Sequence, residues 1–129
     1  MYKEFFDELN LYEDLRVCLP NNKQLNEALV IPKEDTNTNY EIWIYSKERA
    51  GINDDDVRVS VKIHKDAYVS VYLTTEGATF KNLQSAVIKT IGEEDAKRIL
   101  NWVNTHRDAI IKYWNGQMKD RDALNALYD

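Results

Sequence analysis

Between Val57 and Thr74 the chain alternates apolar and polar positions twice. Val57, Val59, Val61 and Ile63 are separated by Arg58, Ser60 and Lys62 and followed by His64. After Lys65-Asp66, Val69, Val71 and Leu73 alternate with Tyr68, Ser70, Tyr72 and Thr74. Successive side chains of a strand point to opposite faces, so each run predicts a strand with one apolar face. The short polar connection predicts that the two pair as an antiparallel hairpin. Glu41-Ile42-Trp43-Ile44-Tyr45 is short, β-branched and aromatic and supplies a third strand. The polar stretch 33–39 reads as a loop, and Lys47 to Asp56, with Gly51 and three consecutive aspartates, as an exposed one.

Beyond Gly77 and Gly92 the period changes. Ala96, Ile99, Leu100, Val103, Ile110, Ile111 and Trp114 recur at three- and four-residue intervals, which predicts a helical segment over 93–115 ending near Gly116. Thr90 and Glu93 stand at the spacing of a capping box ahead of it, and Asn104-Thr105-His106 is a point at which it can break in two. The acid-before-base pairs Glu93/Lys97, Glu94/Arg98 and Asp108/Lys112 mark its solvated face. At the other end Tyr2, Phe5, Phe6 and Leu9 have helical spacing, and Pro20 stops that run. Leu25 to Ile31, ended by Pro32, suits either a short helix or a strand. The fold class expected is α+β: one domain over 1–129, a three-stranded antiparallel meander packed against a long C-terminal helix, intact or broken, with short N-terminal helices. Val59, Val61, Val69, Val71, Ile99, Val103 and Ile110 form the expected core.

Composition narrows the class of protein. With 43% hydrophobic residues and fourteen aromatics in 129 residues, one core can hold the chain without a metal or disulfide. Cys18 is the only cysteine, so an intramolecular disulfide is excluded and a reducing, cytoplasmic setting is expected. Acids interrupt the apolar residues of Met-Tyr-Lys-Glu-Phe-Phe-Asp-Glu, which does not read as a signal peptide, and no run is long enough to span a bilayer. The net charge of −5 disfavours direct nucleic-acid binding through phosphate neutralisation.

No catalytic residue, metal ligand set or cofactor motif emerges. The phosphate-cradling glycine loops and paired-histidine zinc motifs are absent from the sequence. His64-Lys65-Asp66 reads as a solvated hairpin tip rather than a metal clip, and Cys18, between Val17 and Leu19, as a small hydrophobe rather than a nucleophile. Asp54, Asp55 and Asp56 lack the glycine and closing glutamate of a calcium loop. If the valine face packs on helices, the opposite face carries Trp43, Tyr45, Arg58, Ser60, Lys62, Tyr68 and Tyr72. That aromatic and basic surface suits a protein partner, since interface anchors are drawn from Trp, Tyr and Arg. It equally suits cross-strand stabilisation, or a second core layer under an N-terminal helix.

Residues from about 40 to 114 resemble a small bacterial domain-of-unknown-function family: two strands, the second carrying His-x-His-Val, a third strand, and a helical tail closing on Trp. The tail here runs from Asp95 to Trp114, whereas the histidine motif falls on Arg58-Val59-Ser60-Val61 and both histidines are replaced. The resemblance implies a locus of the toxin–antitoxin or phage-defence kind. It therefore implies a non-catalytic protein-interaction module with a protein partner and no cofactor, in which self-association is also open. An acidic, phage- or element-borne inhibitor presenting Asp54 to Asp56 to a nucleic-acid-binding enzyme is the alternative, and an enzyme with an unrecognised site the third.

Overall fold

The two alternating runs pair as their pattern requires. In the computed structural model, which describes residues 27–65 and 67–128, Val59 lies opposite Val71 and Val61 opposite Val69. The elements in chain order are β1 (Leu29–Ile31), α1 (Lys33–Thr36), β2 (Glu41–Ile44), α2 (Lys47–Ala50), β3 (Arg58–His64), β4 (Ala67–Thr74) and β5 (Gly77–Thr79). A 3-10 turn (Lys81–Leu83) then leads into α3 (Gln84–Ile91), α4 (Glu93–Thr105), α5 (Arg107–Trp114) and α6 (Asp120–Tyr128). The expected N-terminal helix and Cys18 fall outside the described residues.

The sheet corrects the expected one. It has five antiparallel strands in the order β1-β2-β3-β4-β5, not three. β1 is too short to show a period, yet Leu29 and Ile31 sit opposite Ile44 and Ile42 and extend the same apolar face. β5 has no alternation to read. It forms because the chain turns back at Gly77 (φ 127°), and because the Asn104 side chain of α4 accepts the Ala78 N–H at 2.8 Å. The polar 33–39 stretch is also more ordered than a loop. After α1 the Thr36 and Thr38 hydroxyls, 2.7 Å apart and buried, bond the Tyr40 carbonyl and turn the chain into β2.

The expected 93–115 segment is two helices, α4 and α5, and not one long helix, and α3 and α6 add to it on either side. α4 ends at His106, whose Nδ1 lies 2.7 Å from the Trp102 carbonyl oxygen and whose ring stacks on Trp102 with centroids 4.2 Å apart. The backbone there (φ −103°, ψ 17°) leaves the helical region, and α5 starts one residue later. No capping box forms. Thr90 donates instead to the Ala86 carbonyl within α3 (2.8 Å), and Gly92, at φ 92°, precedes α4. On the α4 surface the ion pair is Asp95 with Arg98 at 3.7 Å, not the expected i,i+4 pairs. Gly116 does take the left-handed conformation, at φ 72°.

Helices α3 to α6 cover the apolar sheet face. Val59, Val61, Val69 and Val71 meet Phe80, Val87, Ile99, Val103 and Ile110 in one core, each at most 1% exposed. Tyrosine–carboxylate bonds tie the helical layer to the rest. Tyr40 donates to Asp95 (3.1 Å) and Tyr128 to Asp35 (3.0 Å), while Tyr113 (2.9 Å) and Arg49 (2.7 Å) converge on Asp120. Burial, then the bond to Asp120, pushes the Tyr113 phenol up to about 12, so it stays a donor at any physiological pH.

Val61 tests the inward face. Its side chain is fully buried, so Val61→Asp loses that burial and places a carboxylate where nothing compensates it. Urea denaturation is expected to show a loss of roughly 3 kcal/mol or more; a midpoint equal to the parent's would refute the assignment.

Candidate partner-binding face

Register on one face dictates the other. Opposite the valines, three cross-strand rows face away from the helices: Glu41, Lys62 and Tyr68; Val30, Trp43, Ser60 and Ser70; and Arg58, Tyr72 and Thr79, with Tyr45 beside them at the end of β2. The middle row has serines on β3 and β4, so two small side chains form a trough between taller aromatic and basic rows. Ser60 and Ser70 are 2% and 6% exposed, whereas Trp43, Lys62, Tyr68 and Tyr72 are half-buried.

The seven residues expected to form one surface divide into two groups. Tyr45 is buried and donates to Ser60 at 2.7 Å, and it forms a second, smaller core with Ala50, Ile52 and Trp114. Burial pushes its phenol up to about 12 despite the opposing pull of the Ser60 bond. Arg58 is drawn into the same end. Its guanidinium lies over Tyr72 (5.7 Å to the centroid) and over Trp114 (5.8 Å), and donates to Asp54 (2.7 Å). Lys81 covers Tyr72 at 3.7 Å and reaches Asp56 at 3.5 Å, while Lys47 pairs with Asp55. Each of the three aspartates therefore holds a different base of this protein.

The other group is only partly buried. Trp43 and Tyr68 meet edge to face with centroids 5.5 Å apart, Lys62 lies 6.0 Å from the Tyr68 ring centre, and the Trp43 indole donates to Glu41 at 3.2 Å. Val30 beside Trp43 is 39% exposed, one of few large apolar side chains so open among the described residues. Sequence reasoning missed Val30, Lys81 and Trp114 as parts of this face. Lys81 and Trp114 carry no sheet period, and only the return of the chain past β5 and the end of α5 brings them here.

Beside the second core, Lys47, Glu48, Ile52, Asn53, Trp114 and Asn115 line an open cleft of about 460 Å³. His64 ends β3 opposite Ala67, and Asp66, its expected neighbour at the hairpin tip, lies outside the described residues. Among the described residues no His, Cys, Asp and Glu side chains group to hold a metal, and no helix is long and apolar enough to cross a membrane. No protein-family model, curated protein or solved structure matches this chain.

The Arg58 hydrogen bond, first among its causes, holds the Asp54 carboxyl below the usual carboxylate range. A depressed folded pKa contributes stability above the unfolded value, and that contribution is lost as pH falls through the folded one, here below about 4. The pair is half-exposed and screened, so the contribution is at most about 1 kcal/mol. Carboxyl NMR titration should give Asp54 a midpoint below that of a free aspartate, and Arg58→Gln should return it upward; an unchanged midpoint would remove Arg58 as the cause.

Proposed function

We propose that this chain is a non-catalytic interaction module that docks a protein partner on the Trp43, Lys62 and Tyr68 end of its sheet. The toxin–antitoxin or defence setting is the one implied by the resemblance over residues 40–114. One observation carries the reading. Among the described residues, one end of the aromatic face is consumed by internal contacts, while the other leaves two aromatic rings and a cation partly exposed beside the exposed Val30. Interface energy concentrates in a few such side chains surrounded by a polar rim. The same comparison weighs against a carboxylate-presenting inhibitor, because Asp54, Asp55 and Asp56 are engaged by Arg58, Lys47 and Lys81.

Arg58 is a poor probe of this idea, since removing it also releases the 54–56 loop. Lys62→Ala and Tyr68→Ala leave that loop intact. With the partner co-purified from the source cell and titrated calorimetrically, each variant should bind about tenfold more weakly, near 1.4 kcal/mol, while its melting temperature stays within a few degrees of the parent. Unchanged affinity in both would remove this end of the face as the docking surface.

A further inference from the structure

We infer that Asn115 is a self-modification site, at which the side-chain amide is lost to attack by the Gly116 nitrogen, and that the C-terminal cap of α5 holds this reaction latent until the helix end opens. Asn115-Gly116 is the only Asn-Gly step in the sequence, and both residues are exposed. A following glycine carries no side chain to hinder the approach of its nitrogen to the Asn carbonyl carbon, Cγ. The bond from the Gly116 nitrogen to Cγ forms, the Cγ–Nδ2 bond breaks, and the amide nitrogen leaves as ammonia with the proton of the Gly116 N–H. Water then opens the five-membered imide at either carbonyl and leaves aspartate or isoaspartate at position 115.

The fold calls for glycine here for a different reason. Asn115 caps α5, and beyond it the Gly116 N–H donates to the Tyr113 carbonyl at 3.1 Å and the Gln117 N–H to the Lys112 carbonyl at 2.8 Å, with Gly116 at φ 72°. These two bonds close a helix end around a left-handed residue, which is usually glycine. The residue that ends the helix thus also arms the amide. The same cap restrains it. Ring closure must bring the Gly116 nitrogen into eclipse with the Asn115 Cβ about the Cα–C bond. At the observed ψ of 3° it eclipses the Asn115 nitrogen instead, and the Tyr113 carbonyl holds its proton. Both arrangements must be undone before attack, so the reaction runs through the chains whose cap is locally open. Trp114, one residue earlier, is 2% exposed and packs with Tyr45, Ala50 and Ile52, so the cap opens as that core loosens.

The product does not fit where the amide did. Its carboxylate stands at the carbonyl end of α5, where the helix dipole is negative. It also shares a cleft with Glu48, and Lys47 in that cleft is already paired with Asp55. The isoaspartyl branch further lengthens the backbone by a methylene between the Lys112 and Tyr113 carbonyls and the amides that bond them. Modification therefore keeps the helix end open.

Incubation of the full chain in mildly alkaline buffer, with peptide mapping that separates aspartate from isoaspartate, tests the assignment. In urea above the unfolding midpoint, position 115 should convert before any other Asn and at least about tenfold faster than in the folded chain. Asn115→Gln should abolish that conversion. Ile52→Ala, which thins the packing on Trp114, should speed conversion of the folded chain several-fold, in step with faster hydrogen exchange at the Gly116 and Gln117 amides. If that variant does not fold, the parent in urea below its midpoint gives the same comparison. Equal rates in folded and unfolded chains overturn the inference, as does another Asn converting first in urea. Conversion that does not follow the exchange of those two amides removes the cap as the restraint and overturns it too. Converted chains, separated by charge, should unfold at lower urea than the parent; an equal midpoint overturns the effect assigned to the product.

Discussion

The register between β3 and β4 is the constraint on which both faces depend. Val59 with Val71 and Val61 with Val69 are buried pairs, and between them Ser60 with Ser70 and, on either side, Arg58 with Tyr72 and Lys62 with Tyr68 point the other way. A slip of one residue would send the valines to solvent and drive arginine and lysine into the core. The penalty for burying unpaired charge is large enough to exclude that alternative. The core thus selects the aromatic face without touching it.

That face is then made unequal by what reaches it from outside the sheet. Trp114 arrives at the end of α5 and builds a small apolar cluster with Tyr45, Ala50 and Ile52. Arg58 lies against its ring, and the 54–56 loop closes over Arg58 and Lys81. Surface ion pairs of this sort contribute little singly. The buried Tyr45–Ser60 bond and the buried Trp114 ring, rather than the charges, hold this end together. At the opposite end Trp43, Lys62 and Tyr68 are only partly buried. The asymmetry builds one end of the face into a second core and leaves the other end only partly buried.

The helical layer is broken for a related reason. A continuous helix of the expected length would run past the sheet, whereas bends at Gly92 and His106 and a return at Gly116 fold α3 to α6 back over five strands. Hydrogen bonds from Tyr40 to Asp95, Tyr128 to Asp35 and Arg49 to Asp120 then lock the layer to the sheet connections at widely separated points of the chain, while Tyr113 to Asp120 joins α5 to α6.

Local periodicity was enough to determine β3 and β4, the valine face, and the identity of the side chains opposite it, because alternation of two is a property of neighbouring residues, and β2 was legible from its β-branched and aromatic composition. It also located the apolar stripe from Ala96 to Trp114. β1 and β5, of three residues each, lay below the length at which a period is legible, and they exist only because an adjacent strand edge offers hydrogen bonds. The break falls at the Asn104-Thr105-His106 step where the sequence allowed one, and what decides it is a ring stacked on Trp102 and a side-chain bond to its carbonyl, neither visible in spacing. The division of the aromatic face was likewise decided by tertiary structure alone. Arg58 and Lys62 are equivalent in the alternating pattern, and what separates them is that Trp114, Asp54 and Asp56 are brought to one and not to the other.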